Sequence, residues 1–289
     1  MVQKFLMQPL FDQVAIVGLG LIGGSLGMAL RKGRVARRVI GFARHETTIR
    51  KAKARGAIDD GDTELCPNWL GESELVVIAT PPLTVVPIAR QIVKLTRHRF
   101  ILTDVASTKG EITQALGSFL PERITYVGSH PMAGSERSGI GAANLDLFRG
   151  APCVVTPVAR TSRTAVRRVF ALWRSVGGRC VEISPAHHDT LVAQISHLPH
   201  LAAVGLTLVA QEEAMGLSAG GFSDTTRIAL GDPALWREIC WTNRRAITAA
   251  MDRLLKELRQ LRGLIASGNS DTLTKQFRTA QKKRQRLKR

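Results

Sequence analysis

The chain has 289 residues, of which 44% are hydrophobic and 22% charged, and its formal net charge is +18. This length is typical of about two domains, and the composition excludes an intrinsically disordered chain because it supplies enough apolar side chains for a core. The four cysteines include no C-x-x-C pair, which argues against a zinc ribbon or a dense disulfide scaffold and favours a reducing, cytoplasmic location.

The first 184 residues alternate between short apolar strands and helices. Strands are predicted at 13–18, 39–42, 75–79, 100–104 and 125–128, with helices at 25–31, 47–54, 86–95 and 110–119 between them. Two more strands, at 152–156 and 179–183, flank a helix at 164–176. This alternation predicts a Rossmann-type doubly wound parallel sheet, in a dinucleotide-binding domain that we place at 12–184.

The pattern changes at Ser184-Pro185, where serine suits a helix N-cap and proline the first helical turn. Helical periodicity then continues over 186–213, 233–266 and 270–287, without strand alternation. We therefore expect an α/β domain followed by an all-helical C-terminal domain at 185–275. A basic tail follows at 276–289.

The segment Gly18-Leu19-Gly20-Leu21-Ile22-Gly23 matches the dinucleotide fingerprint G-x-G-x-x-G between a predicted strand and helix. Gly18 is predicted to form the tight turn, Gly20 to let backbone approach a pyrophosphate, and Gly23 to allow close helix–strand packing. The motif opens a helix whose N-terminus would hold the anion, so Leu21 and Ile22 are also expected to bind the cofactor. The alternative is a glycine-rich turn without a ligand.

The end of the second strand bears on the type of cofactor. An acid about 20 residues after the fingerprint would bind the ribose 2′-hydroxyl of NAD. Here Phe42 is followed by Ala43-Arg44-His45, and Arg44 could hold a 2′-phosphate with two hydrogen bonds. We predict NADP rather than NAD, the alternative being that Arg44 is an ordinary solvated arginine.

Polar side chains follow three strands at the edge where a doubly wound sheet binds ligands. They include Thr80 and Pro81 after the third strand, Ser107 after the fourth and His130 after the fifth. Histidine ionises near neutral pH, so His130 could take the proton of an alcohol as hydride leaves, and Ser107 could orient His130 or bind the same hydroxyl. The alternative for His130 is a structural role in its turn.

Histidines recur in the helical part of the chain. His197 and His200 lie three residues apart and share a helix face, where they would contact a polar substrate or hydrogen-bond within the core. A zinc site lacks a third ligand nearby, and we expect no metal. The segment His187-His188-Asp189 is predicted to cap a helix or lie on the surface.

An arginine follows the Gly220-Gly221 pair. Arg227 could bind a carboxylate through its forked guanidinium, or form a salt bridge with Asp224 or Glu238. Trp236, on a helical stretch, is expected in the core or at an interface.

Taken together, these segments resemble the prephenate/arogenate dehydrogenase family of tyrosine biosynthesis. The matching stretches, in the family's order, are VGLGLIGGSLG, TDVASTKG, GSHPMAGSERSG, HHDTLVAQISHLPH, GGFSDTTRIA and GDPALWREI. The resemblance implies NAD(P)-dependent oxidative decarboxylation of prephenate to 4-hydroxyphenylpyruvate, or of arogenate to tyrosine. It also implies a homodimer formed through the helical domain.

The resemblance assigns roles to individual residues. His130 would be the catalytic histidine, bonded to the ring 4-hydroxyl of the substrate, and Ser107 would assist it. The substrate-binding residues that it implies are His197, His200, Arg227 and Glu136.

The expected partner is a small dicarboxylate, which suits a basic protein. No uninterrupted apolar run reaches the roughly 18 residues of a membrane span, so no membrane association is expected. Eight cationic and no acidic residues occupy 275–289, yet we do not expect nucleic-acid binding. The alternatives are a two-domain reductase of the β-hydroxyacid dehydrogenase type, although residues 185–255 lack the usual lysine, and a cofactor-sensing or nucleic-acid-binding protein.

Overall fold

A computed structural model describes residues 8–135 and 137–287. Six parallel strands form one sheet in the order β3-β2-β1-β4-β5-β6. Their bounds are β1 Phe11–Val17, β2 Ala36–Phe42, β3 Asp60–Asp62, β4 Leu75–Ile78, β5 Phe100–Asp104 and β6 Ile124–Tyr126. The predicted Rossmann-type sheet is confirmed, and β3 is an additional edge strand whose Asp-Gly-Asp sequence carries no apolar signal.

Five helices accompany this sheet. They are α1 Leu21–Lys32, α2 Glu46–Ala54, α3 Pro67–Gly71, α4 Pro82–Leu95 and α5 Gly110–Gly117. Every residue of β4 and β5 is buried, as expected for parallel strands covered on both faces. Two separate apolar clusters fill the space between this layer and its neighbours.

The predicted fifth strand at 125–128 is wrong in its bounds. The parallel sheet ends with β6, and the chain then starts a second sheet with β7 Gly128–Pro131. Here β7 pairs antiparallel with β8 Pro152–Thr156, which pairs parallel with β9 Arg179–Glu182 after helix α6 Arg163–Ser175. The last three strands therefore form a small mixed sheet, which strand–helix alternation alone could not distinguish from an extension of the first.

Helices follow β9, and the described residues after 184 contain no strand, as predicted. They are α7 Pro185–Val192, a π-helical turn Ala193–His197, α8 Leu198–Val209, α9 Glu212–Gly216, α10 Gly220–Thr226, a 3-10 turn Arg227–Leu230 and α11 Pro233–Thr242. The Ser184 side chain accepts a hydrogen bond from the His187 N–H, which confirms the predicted N-cap.

Backbone contacts divide the chain into two units, one ending at Arg244 and the other beginning at Arg245. The first unit holds both sheets and helices α1 to α11. The second consists of most of α12 Arg244–Ala266, followed by α13 Ser270–Gln285. The predicted domain bounds at 12–184, 185–275 and 276–289 stay a prediction.

The helical stretch Pro185–Val209 is long and apolar enough, by length and composition alone, to cross a membrane. The core helix of a globular protein can meet the same two criteria. This stretch begins with His188 and Asp189, whose side chains are buried and hydrogen-bonded within the first unit. Over the whole apolar window of this stretch, 28% is buried within the described structure.

Candidate active site

The fingerprint turn has the geometry that each of its glycines was predicted to need. Gly18 has φ +100°, and a Cβ there would lie 2.6 Å from the Ala79 carbonyl oxygen. A Cβ on Gly23 would lie 1.9 Å from the Gly18 carbonyl oxygen. By contrast, a Cβ on Gly20 would have no neighbour within 4 Å, which leaves open space beside the backbone. These residues therefore fit a bound dinucleotide, with space where a pyrophosphate would approach.

Four other residues predicted to bind the cofactor lie on or after this turn and at the start of α4. Helix α1 begins at Leu21, so the N–H groups of Leu21 and Ile22 belong to its first turn, whose donors lack helical partners. Thr80 lies beside the turn, since its Cγ2 would be 2.7 Å from a Cβ on Gly18. Pro81 immediately precedes α4.

Arg44 follows β2 and is exposed. The neighbouring strand β3 ends at Asp62, whose carbonyl accepts the Ala43 N–H. The Asp62 carboxylate accepts hydrogen bonds from the N–H groups of Thr63 and Glu64, at 2.6 and 3.3 Å. An acid therefore does stand at this edge of the sheet, on the strand next to the one that the sequence indicated.

His130 lies on β7 and is 8% exposed. Its Nδ1 is 2.8 Å from Nε2 of His188, which is fully buried on α7. Nδ1 of His188 is in turn 2.9 Å from Oδ1 of Asp189. The three side chains form a hydrogen-bonded chain that links residues 58 positions apart in the sequence.

The Asp189 carboxylate is held by donors from the loop after β5. Its Oδ1 accepts the Lys109 N–H and its Oδ2 accepts the Gly110 N–H, both at 2.8 Å. These are the free N–H groups at the start of α5, so the carboxylate caps that helix. The Asn243 side chain donates to the Asp189 carbonyl at 2.9 Å, and the same amide lies 3.3 Å from Nδ1 of His197.

A buried ion pair lies beside this chain of side chains. Lys109 Nζ contacts Asp104 Oδ1, and the Tyr126 hydroxyl donates to Asp104 Oδ2 at 2.6 Å. The Ser129 hydroxyl donates to the Asp104 carbonyl at 2.8 Å, which ties the start of β7 to the end of β5. His130 is thereby held close to the carboxyl edge of the parallel sheet.

Burial keeps the histidines of this region neutral. It lowers the pKa of His130 well below the ordinary value, and the neighbouring His188, Lys109 and His197 lower it further. Burial also lowers the pKa of His188, although the hydrogen bond to Asp189 opposes the shift. For His197, burial lowers the pKa to about 4. A neutral imidazole is the form that can accept a proton.

The imidazole rings of His197 and His200 both pack against the indole ring of Trp236. The His200 ring stacks on the indole with a centroid distance of 3.4 Å and an interplanar angle of 8°, and the His197 ring meets it edge-on at 6.1 Å. Each histidine has one buried ring nitrogen without a hydrogen-bond partner among the described residues, namely Nε2 of His197 and Nδ1 of His200. Unpaired buried nitrogens are costly, which is consistent with groups that pair with a ligand.

The remaining predicted site residues are placed as follows. Arg227 is exposed at the start of the 3-10 turn, next to Ile228, whose backbone is hydrogen-bonded to His200. Ser107 is half-buried in the loop after β5, and the described hydrogen bond of His130 runs to His188 rather than to Ser107. Glu136 lies outside the described residues.

The prediction that the segment 187–189 caps a helix or lies on the surface is wrong for His188, which is buried. Asp189 does cap a helix, but that helix is α5 and not the one on which Asp189 lies. Only His187 is exposed. The signal available in the sequence was a His-Asp pair at the start of an apolar helical stretch. The role of this pair depends on contacts with two distant elements, β7 and the loop before α5, and the local sequence pattern does not reveal those contacts.

The described residues 8–135 and 137–287 contain no group of three or more His, Cys, Asp or Glu side chains placed to hold a metal ion. The four cysteines are free thiols.

Two family models match the chain. The model of the prephenate dehydrogenase nucleotide-binding domain matches residues 26–182, and that of the prephenate dehydrogenase dimerization domain matches residues 184–279.

Curated relatives are similar along most of the chain. Prephenate dehydrogenase of Bacillus subtilis is 34% identical over 281 residues, which are 95% of this chain and 76% of the relative. Cyclohexadienyl dehydrogenase of Zymomonas mobilis is 33% identical over 285 residues, which are 96% of this chain and 97% of the relative.

Solved structures agree with this relationship. A crystal structure of A. aeolicus prephenate dehydrogenase, in complex with hydroxyphenyl propionate and NAD+, has a TM-score of 0.88 and 30% identity, covering 99% of this chain and all of that one. Synechocystis arogenate dehydrogenase has a TM-score of 0.81 and 29% identity, covering 94% and 99%. The chain therefore belongs to the prephenate/arogenate dehydrogenase family of oxidoreductases.

Proposed function

We propose that this protein catalyses the NAD(P)-dependent oxidative decarboxylation of prephenate or arogenate. The observation that carries the proposal is the buried, neutral His130 at the carboxyl edge of a sheet whose glycine turn fits a dinucleotide. The chemistry that a nicotinamide dinucleotide supplies when bound is acceptance of a hydride. The protein must then orient the substrate, take one proton and bind two carboxylates.

His130 is the general base of the proposed reaction. It takes the proton of the substrate's ring hydroxyl as hydride leaves the same carbon, and loss of carbon dioxide then makes the ring aromatic. Ser107 lies in the loop after β5 and would bind the same hydroxyl. The lowered pKa of His130, caused mainly by burial, keeps this base unprotonated at neutral pH.

Substrate binding is assigned to the helices that follow β9. His197 and His200 each offer a buried ring nitrogen that has no hydrogen-bond partner among residues 8–135 and 137–287, and Arg227 lies beside the backbone that His200 contacts. A guanidinium binds a carboxylate in a forked geometry, so Arg227 would hold one of the substrate's carboxylates. Glu136 belongs to the same proposed site on the strength of the family resemblance alone.

Dinucleotide binding is assigned to the turn and its neighbours. The residues that would hold it are Gly18, Gly20, Leu21, Ile22, Gly23, Thr80, Pro81 and Arg44. NADP is proposed in preference to NAD because Arg44 can bind a 2′-phosphate, and because the nearby Asp62 carboxylate is already engaged by two N–H groups.

The protein is proposed to act as a homodimer. On α12, Ile247, Met251, Leu254, Leu258, Leu261 and Ile265 recur at alternating intervals of four and three residues. Met251, Leu258 and Ile265 are 39%, 50% and 65% exposed. An apolar seam with this period is typical of a helix that packs against another, and the matching family model is that of a dimerization domain. A cytoplasmic location goes with the four free thiols.

The test is a two-by-two assay of prephenate and arogenate against NAD and NADP. We expect turnover of at least one substrate, with a higher kcat/KM for NADP. A preference for NAD of more than tenfold would show that the role given to Arg44 is wrong, and no turnover with any combination would refute the proposed activity.

The role of His130 is tested by His130→Asn. We expect nearly unchanged cofactor affinity and a fall in kcat of roughly 10²-fold or more, because the general base is lost. His187→Asn is the matched control, since the His187 side chain is exposed on α7. Near-normal turnover of the His130 variant would contradict the general-base role.

A further inference from the structure

We propose that His188 and Asp189 are positioning residues that determine which nitrogen of His130 is basic. Through two hydrogen bonds, the Asp189 carboxylate places the proton of His188 on Nδ1 and that of His130 on Nδ1, so Nε2 of His130 carries the lone pair that meets substrate. The inference rests on the proposed function, because a basic Nε2 matters only if His130 is the base.

The argument begins with Asp189, whose two side-chain oxygens are both held by backbone donors. The N–H groups of Lys109 and Gly110 point at Oδ1 and Oδ2, each at 2.8 Å, and both oxygens must therefore accept. The Lys109 ammonium also lies close enough to favour a negative charge there. Nδ1 of His188, 2.9 Å from Oδ1, must consequently carry a hydrogen, since two lone pairs would repel.

The second step concerns His188, which is fully buried. Burial lowers its pKa, and the Lys109 ammonium adds to this effect, while Asp189 and Asp104 oppose it. A neutral ring has one hydrogen, which is already assigned to Nδ1. Nε2 of His188 is therefore an acceptor.

The third step transfers this constraint to His130. Its Nδ1 lies 2.8 Å from the acceptor Nε2 of His188, so Nδ1 of His130 must be the donor. The neutral His130 ring then has no hydrogen on Nε2. The other titratable or charged groups that influence His130 are Lys109 and His197, and both disfavour its protonated form.

The same chain provides a place for the proton during turnover. When Nε2 of His130 binds the hydroxyl proton, the Nδ1 proton of His130 can pass to Nε2 of His188. One N–H bond forms and one breaks on His130, which ends neutral, and the positive charge moves to the ring that contacts the Asp189 carboxylate. The chain thus stabilises the protonated state without exposing it to water.

Histidine nitrogen chemical shifts of the full-length wild-type protein test the tautomer directly. With ¹⁵N-labelled histidine and His130→Asn for assignment, we expect at neutral pH a protonated Nδ1 and an unprotonated Nε2 for His130. The opposite tautomer would overturn the proposal, whatever the enzyme's activity. The outcome is independent of the substrate assays, so it separates this inference from the proposed function.

Two variants of His188 test the consequence for catalysis. His188→Gln keeps a side-chain oxygen that can accept the His130 Nδ1–H, whereas His188→Leu keeps bulk without an acceptor. We expect kcat to fall by about 10²-fold or more in the leucine variant and by about tenfold in the glutamine variant. In both variants, KM and cofactor affinity should change less than about twofold, because His188 is not placed against substrate or cofactor.

His187→Leu is the control, one residue away and exposed. It should retain wild-type kcat and Tm. Equal kcat losses in the leucine and glutamine variants, or wild-type kcat in the leucine variant, would overturn the proposal. If the leucine variant does not fold, the tautomer measurement on the wild-type protein decides.

Discussion

Lys109 and Asp104 form an ion pair in the interior of the first unit, with side chains 0% and 1% exposed. The Asp104 carboxylate is also bonded to Tyr126, and the Lys109 backbone N–H to Asp189. The pair therefore joins the end of β5 to the hydrogen-bonded chain that ends at His130. Burial lowers the pKa of Lys109, yet the adjacent Asp104 carboxylate opposes this shift and favours the charged form.

Replacing the lysine of this pair should strongly destabilise the protein. Lys109→Met leaves a carboxylate buried without its cation, and we expect a loss of about 3–5 kcal/mol in the free energy of unfolding. Lys53→Met is the matched control, because the Lys53–Asp60 pair has a short contact of 2.6 Å but is exposed. That change should cost less than about 1 kcal/mol. Urea titrations give both values, and similar losses in the two variants would contradict the explanation.

Alanine substitutions at two glycines of the fingerprint turn should distinguish an effect on cofactor affinity from an effect on thermal stability. Gly20→Ala places a methyl group in open space, so we expect an unchanged Tm but a cofactor Kd raised by about tenfold, roughly 1.4 kcal/mol. Gly23→Ala places it against the Gly18 carbonyl and should lower both Tm and affinity.

A control for this pair is Gly141→Ala, where an added Cβ also meets nothing within 4 Å. It should change neither quantity. The interpretation of Gly20 fails if its variant binds cofactor with wild-type affinity in a calorimetric titration.

The buried histidines predict how stability depends on pH. Burial lowers the pKa of His197 to about 4, whereas the pKa of a histidine in the unfolded chain is about 6.5. Below pH 6.5 the unfolded state therefore binds more protons than the folded state, so stability present at neutral pH is lost as the pH falls towards 4. This group alone should contribute about 3 kcal/mol to that loss.

The measurement is urea unfolding of wild type and His197→Gln between pH 7 and pH 4. The variant should lose less stability over this interval, because it lacks the group that titrates. His187→Gln should follow the wild-type curve. A variant curve parallel to wild type would show that His197 is not the source.

The seam on α12 predicts the oligomeric state. Leu258→Glu puts a charge in the middle of the exposed apolar row, so we expect a dimer to become a monomer at micromolar concentration. Gln260→Glu adds the same charge to a position outside the seam and should leave the dimer intact. Light scattering after size-exclusion chromatography measures the mass, and a dimer of the Leu258 variant would place the interface elsewhere.

Local sequence patterns were enough to predict the strands and helices around the glycine turn. Gly18, Gly20 and Gly23 lie between an apolar run and a helix, and their spacing alone indicates a tight turn in which backbone atoms approach each other closely. His130 could be proposed as a base because it follows a predicted strand at the edge where a doubly wound sheet binds ligands, and because histidine ionises near neutral pH.

The arrangement around His130 required long-range contacts. His188 lies 58 residues away, and the donors that orient Asp189 come from the start of α5. Ser129 of β7 is hydrogen-bonded to Thr103 and Asp104 at the end of β5, which are 26 and 25 residues away in the sequence. Whether a polar side chain caps a helix at the surface or orients a base in the interior depends on what packs against it, and a residue's neighbours in the chain do not specify that.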